Sequence, residues 1–244
     1  MIGTADPIVE KMRAYNGAVD SGRLGRAFEF GKVAHDGQTR ASGEPYFTHP
    51  VAVANILADM RLDEDSIITA LLHDTVEDCD VTLETLQTEF GGDVSQLVDG
   101  VTKLSRLAIK SLPSSAQAEN FRKLLMAMSE DVRVLLVKLA DRTHNMRTLS
   151  FIPKPEKRMR IARETMDIYA PLAERIGLTQ IQSELEDSAF EILNGDMRQS
   201  IITRLDYLTS EAKITIPTIS VELQSTIERV GIECSVTGRL KSPY

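Results

Sequence analysis

Ile67-Ile68-Thr69-Ala70-Leu71-Leu72-His73-Asp74-Thr75-Val76-Glu77-Asp78 is the stretch from which the rest of the chain can be read. An apolar run of this length with helical spacing predicts a core-facing helix over 64–78. His73 and Asp74 interrupt it. Burying an imidazole and a carboxylate in such a helix is costly unless both are paired or bound to a metal. Glu77 follows His73 by four residues and Asp74 by three, and Asp78 follows Asp74 by four. On a continuous helix all four side chains would share one face within about two turns. Three carboxylates so close repel one another and favour a divalent cation nearby.

A second run of the same kind covers Val132–Asp141, apolar to its end and closed by an aspartate. His144, Asn145 and Thr148 continue a polar stripe from Asp141 at i+3, i+4 and i+7. The histidines are four, His35, His49, His73 and His144. His49 stands just before Pro50, where a helix is expected to begin, which gives its imidazole a firm mount. His49, His73, Asp74 and Asp141 therefore make a candidate mixed nitrogen and oxygen site. Such donors suit Mn²⁺, Fe²⁺ or Zn²⁺, and the lack of thiolates argues against a structural zinc. A His-Asp dipeptide taken alone is more often a surface or capping feature, and Asp141 alone could close a helix beside Arg142.

Outside these runs the periodicity is helical almost everywhere up to about residue 215. Helices are expected at 8–19, 22–35, 50–60, 83–90, 93–103, 116–128, 131–148, 155–176, 179–193 and 196–213. Gly91-Gly92, Ser111–Ser115 and Pro153-Lys154-Pro155 punctuate them. Towards the end the pattern changes. Val221–Val230 reads as a short amphipathic helix, and Gly231–Thr237 alternates like a strand with no partner to pair with.

Lys plus Arg number 28 and Asp plus Glu 36, a net charge of −8, which disfavours binding duplex DNA over a broad face. Basic residues nevertheless gather between Lys138 and Arg163, where a small anionic ligand or a plain solvated helix face would each account for them. Cys79 and Cys234 match no zinc or redox spacing. The first residues lack the apolar core of a signal peptide, and no window approaches the roughly 20 apolar residues of a membrane span. The chain reads as cytoplasmic and reduced.

Three long segments resemble the RelA/SpoT homologue family, whose hydrolase region is an HD phosphohydrolase. They are His35–Pro50 (HDGQTRASGEPYFTHP), Ala70–Asp78 (ALLHDTVED) and Val137–Thr148 (VKLADRTHNMRT). Glu164–Ala173 (ETMDIYAPLA) and Glu184–Asp187 resemble the family's connector, and Gly238–Tyr244 (GRLKSPY) resembles the opening of its synthetase domain. The resemblance implies an all-α HD-type helical bundle, a helical connector, and the truncated start of an α/β domain. On that basis residues 1–195 would be the hydrolase domain, 196–230 the connector and 231–244 the synthetase start. The synthetase and regulatory domains would lie further along the same chain.

The implied activity is Mn²⁺-dependent removal of the 3′-pyrophosphate from guanosine tetra- and pentaphosphate, the stringent-response nucleotides. Mn²⁺ would be held by His49, His73, Asp74 and Asp141, and Glu77 with Asp78 would activate or orient the attacking water. Arg40 would pack on the guanine, with Ser42, Asn145 and Thr148 lining the nucleoside pocket and Lys138 and Arg147 reaching phosphate. His35 and His144 match no ligand of the family, so structural or supporting roles are expected of them. Ala41 stands where many relatives have a basic residue, Thr143 where they have Leu, and Cys79 where they have Thr. Two rival readings stay open: an HD hydrolase of another nucleotide, or a nucleotide-sensing module with little turnover.

Overall fold

A computed structural model describes residues 3–109, 131–237 and 244, with side chains described throughout except at 105–109 and 207–214. Among the described residues the regular structure is helical, with one isolated antiparallel bridge between Thr39 and Pro45. The chain divides into two compact units, Met1–Pro155 and Glu156–Tyr244.

The first unit contains α1 (Asp6–Arg13), α2 (Ser21–Ala34), α3 (Thr48–Asp59), α4 (Glu64–Leu72), α5 (Thr75–Asp78), α6 (Leu83–Phe90), α7 (Gly92–Ile109) and α8 (Val132–Arg147). A 3₁₀ turn, Leu149–Phe151, follows α8. The sequence starts several of these helices by the same device. Asp20, Asp63, Thr82 and Asp131 each accept a backbone N–H in the first turn of the helix that follows.

Helix α4 lies at the centre, packed against α2, α3, α7 and α8. Every residue from Ser66 to Leu72 is buried, so α4 needs no polar face, which is why its sequence shows apolar residues all round. Close approach of α2 depends on Gly31, where an added Cβ would come within 2.5 Å of the Phe47 ring and 2.8 Å of the Leu71 carbonyl. Gly100 of α7 serves the same purpose against Val134 of α8.

The helix expected over 64–78 does not run through. It ends at Leu72, His73 and Asp74 form a turn, and Thr75–Asp78 makes one further helical turn. The cause is local competition for backbone acceptors. The His73 ring lies 2.7 Å from the Ala70 carbonyl through Nδ1, and Thr75 Oγ1 donates to the Leu72 carbonyl at 2.7 Å. Side chains take the acceptors that a continuous helix would use for its own N–H groups. The single helix face expected for His73, Asp74, Glu77 and Asp78 is therefore replaced by a bend.

The second unit contains α9 (Pro155–Glu164, beginning one residue before it), a π-helical turn (Thr165–Tyr169), α10 (Ala170–Arg175), α11 (Thr179–Leu193) and α12 (Gly195–Glu228). The helix expected over 155–176 is thus interrupted by a wider turn just ahead of Pro171, which lies in the first turn of α10. Proline has no N–H for the carbonyl four residues back, and the π turn absorbs that loss. The two helices expected at 196–213 and 221–230 form one, α12, with Pro217 inside it. Residues 232–237 adopt no regular structure; a strand there would need a pairing partner, and the described residues supply none. The expected helix 116–128 and the loop Ser111–Ser115 lie outside the described residues.

Candidate active site

The four residues read as metal ligands come from three places in the first unit. His49 projects from the first turn of α3, His73 and Asp74 from the bend between α4 and α5, and Asp141 from the middle of α8. His49 Nε2 lies 3.2 Å from Asp141 Oδ1 and 3.7 Å from Asp74 Oδ2, and His73 Nε2 lies 3.1 Å from Asp74 Oδ1. One ligand atom each from His49, His73 and Asp141 fall within 4.8 Å of one another. His49, His73 and Asp141 are buried and Asp74 half-buried.

Each imidazole is oriented by what its other nitrogen meets. His73 Nδ1 faces the Ala70 carbonyl, which can only accept, so Nδ1 bears a hydrogen and Nε2 is the ring atom turned to the carboxylates. His73 Nε2 is buried and makes no hydrogen bond among the described residues, close to Asp74 Oδ1 though it is. A buried ring nitrogen left without a hydrogen bond among carboxylates is suited to a cation. His49 Nδ1 lies 2.7 Å from His144 Nδ1, so one of the two carries the shared hydrogen. With that hydrogen on His49, its Nε2 keeps a lone pair that a cation could share. His144 thereby supports the imidazole of a candidate ligand.

Charge supports the same assignment. Burial pushes the His49 pKa down, against the pull of Asp141, and keeps the ring neutral. Burial would raise Asp141, but the Lys138 ammonium and His49 outweigh it and hold the carboxyl well below the usual range. Burial likewise opposes ionisation of Asp74, and His73 and His49 outweigh it. His144 is pushed down to about 4, by burial first and then by His49, Arg40 and Arg147. Two imidazole nitrogens and two ionised carboxylates make a donor set that suits a divalent cation.

A set of hydrogen-bonded polar groups adjoins these residues. Arg40 donates through Nη2 to Asn145 Oδ1 at 3.1 Å and to Thr148 Oγ1 at 3.3 Å, while its buried Nη1 has no hydrogen-bond partner among the described residues. Asn145 in turn donates to Asp141 Oδ1 at 2.5 Å. Residues 105 positions apart in sequence are thus joined, and the join leads directly to a candidate ligand. Ser42 sits in the turn over Arg40–Glu44 and bonds Glu44 Oε2 at 3.2 Å. Lys138 reaches Asp141 Oδ2 at 2.5 Å and is largely buried, so its ammonium faces a candidate ligand rather than open solvent. Arg147 is exposed at the end of α8.

Glu77 and Asp78 are exposed and line an open cleft of about 340 Å³ with Ala34, Gln38, Cys79 and Asp80. Tyr46, given no role by the sequence, lies against them: its hydroxyl is 2.9 Å from both Asp74 Oδ2 and Asp78 Oδ2. The negative neighbours and burial raise its pKa. Gln38, equally unassigned, donates to the Asp78 carbonyl at 3.1 Å. His35 is buried, stacked on Tyr46 and 2.9 Å from Gln38 Oε1 through Nδ1, a structural place like the one expected of it.

Comparison with known proteins shows the family. Residues 27–179 match the family model described as "HD domain". The chain is 47% identical over 237 residues to GTP pyrophosphokinase rsh of Brucella ovis, covering 97% of this chain and 31% of that protein. It is 49% identical over 222 residues to the bifunctional (p)ppGpp synthase/hydrolase SpoT of Escherichia coli K12, covering 91% of this chain and 31% of that protein. The chain therefore spans about a third of the length of the curated relatives it matches. Among solved structures, a metazoan ortholog of SpoT that hydrolyses ppGpp superposes with a TM-score of 0.54 at 28% identity, over 73% of this chain and 98% of that one.

Proposed function

The chain belongs to the HD domain family, and from that premise we propose that it removes the 3′-pyrophosphate from guanosine tetra- and pentaphosphate in a metal-dependent hydrolysis. The observation that carries this reading is the continuous path from Arg40 through Asn145 to Asp141. A planar cation suited to stacking on a purine is tied, through one amide, to a ligand of the metal site. The names of the curated relatives and the ppGpp-hydrolysing structural neighbour support the choice of nucleotide.

His49, His73, Asp74 and Asp141 would hold the ion, with Mn²⁺ as the metal the donor set and the family resemblance favour. When bound, it supplies a Lewis acid that acidifies water and polarises a phosphoryl oxygen. The chain's own residues do the rest. Arg40, Asn145 and Thr148 fix the nucleoside, with Ser42 at the mouth and Arg147 available to phosphate. Lys138 keeps Asp141 ionised. Glu77 or Asp78 takes the proton of the attacking water. Release of intact pyrophosphate requires attack on the phosphorus joined to the ribose 3′-oxygen. The bond from that phosphorus to the 3′-oxygen breaks, and the proton passes on to the departing hydroxyl, leaving GDP or GTP. Residues 1–195 would form this hydrolase domain, 196–230 a connector and 231–244 the beginning of a synthetase domain.

The test is anion-exchange chromatography of ppGpp incubated with the chain and Mn²⁺, beside an EDTA control and Asp74→Ala. GDP and pyrophosphate should form only with intact chain and metal. Intact ppGpp in every tube would defeat the hydrolase reading and favour a nucleotide-sensing module. Turnover of other nucleotides at an equal rate would defeat the substrate assignment.

A further inference from the structure

Tyr46 is placed with care for a residue with no assigned task. Its N–H donates to the Gln38 carbonyl at 2.9 Å, and its ring stacks on the buried His35 ring at a centroid distance of 4.7 Å and 21° between planes. The ring is therefore held without help from the hydroxyl. That hydroxyl is left to bridge a candidate ligand, Asp74, and a candidate base, Asp78, at 2.9 Å each. A phenol has one hydrogen to donate, so it serves one ionised carboxylate at a time, and a hydrogen given to Asp78 holds that carboxylate beside Asp74.

Residue 78 is gripped twice from the same loop. Gln38 holds its carbonyl and Tyr46 its carboxylate. Without those holds Asp78 would be an exposed side chain at the end of a four-residue helical turn, free to change rotamer. It stands no more than two hydrogen-bond lengths from a ligand oxygen. Coulomb attraction would draw a loose carboxylate at that range onto a divalent cation. Once there it would fill a position needed by water and would be a poor base.

We propose that Tyr46 is a positioning residue whose hydroxyl tethers Asp78 beside Asp74 and off the metal, leaving a coordination position to water and Asp78 available to take its proton. The kinetic half of this inference rests on the hydrolase reading; the half concerning bound water rests only on metal binding.

Tyr46→Phe removes one oxygen and keeps the stacked ring. In wild type, Y46F, D78N and the double variant, kcat and KM for ppGpp are measured with Mn²⁺, together with the water-proton relaxation produced by the bound Mn²⁺. Y46F should lower kcat about 10- to 100-fold with KM close to wild type. Its relaxation per bound ion should fall, as Asp78 displaces a water, and recover in the double variant. Y46F should add little to the kcat loss of D78N. Unchanged relaxation in Y46F overturns the proposal, and so does weakened Mn²⁺ binding with losses additive to D78N, which would place the effect on Asp74. A wild-type chain inert towards ppGpp that still shows the relaxation pattern would sink the substrate assignment and leave the tether standing.

Discussion

His144 and His49 meet through their Nδ1 atoms at 2.7 Å, and a second proton cannot enter that gap without breaking the contact. The consequence is an acid-sensitive fold. In the unfolded chain His144 takes its proton near the ordinary value of 6.5, whereas in the fold it resists to about 4. Between those values the unfolded state holds a proton that the folded state lacks, so stability drains away as pH falls. Asp74 and Asp141, both held below the usual carboxylate range, add the same sign at the acid end. Urea midpoints in EDTA should fall steadily from pH 6.5 to 4. His144→Asn, which keeps a polar atom near the Nδ1 position, should flatten that slope; an unchanged slope would remove His144 from the account. At this scale the sequence was most legible where donor chemistry is concentrated: His49, His73, Asp74 and Asp141 could be read from their residue types and their apolar surroundings. Tyr46 and Gln38 could not, because their contacts with residues 74 and 78 depend on how the 35–46 loop folds back.

Among the elements, α4 shows how composition and conformation part company. Its burial was plain from the apolar run, yet its end at Leu72 was not, because periodicity does not register side chains that compete for carbonyls. Pro171 and the π turn before it are a similar case: the proline is visible, but whether the helix breaks or widens depends on packing. Pro217 gave the opposite outcome, lying within a helix that continues to Glu228. The contact of α2 with α4 offers a quantitative check. Gly31→Ala should raise local helix propensity by about 1 kcal/mol. The new methyl, however, meets a fully buried Phe47 ring and a backbone carbonyl, neither of which can yield cheaply. Overpacking of that kind costs about 1–3 kcal/mol, so a net loss of stability is expected in denaturant melts. A neutral or stabilising result would mean that α2 can slide away from α4.

For the whole molecule, the charge reading had left two accounts open, a small anionic ligand and a solvated helix face. The basic gathering from Lys138 to Arg163 looked like one feature, but Lys138 serves Asp141 in the first unit, while Lys157, Arg160 and Arg163 are exposed in the second. A ligand-binding face could not be inferred from their sum. The proposed metal site makes a global prediction as well, because its candidate donors join α3, α8 and the α4–α5 bend. Mn²⁺ at 100 times its Kd should stabilise the chain by about 2.7 kcal/mol over the EDTA-treated form, and Asp141→Asn should abolish most of that gain. Calorimetry with equal melting temperatures in the two conditions would show that the donors are not preassembled for an ion. The bend itself has a last implication, which concerns length rather than composition. His73 and Asp74 are carried on the end of a buried helix, and each residue added to or deleted from α4 would turn them by about 100°. Substitutions along α4 trade volume for volume, but an insertion or deletion there would swing both donors out of register at once.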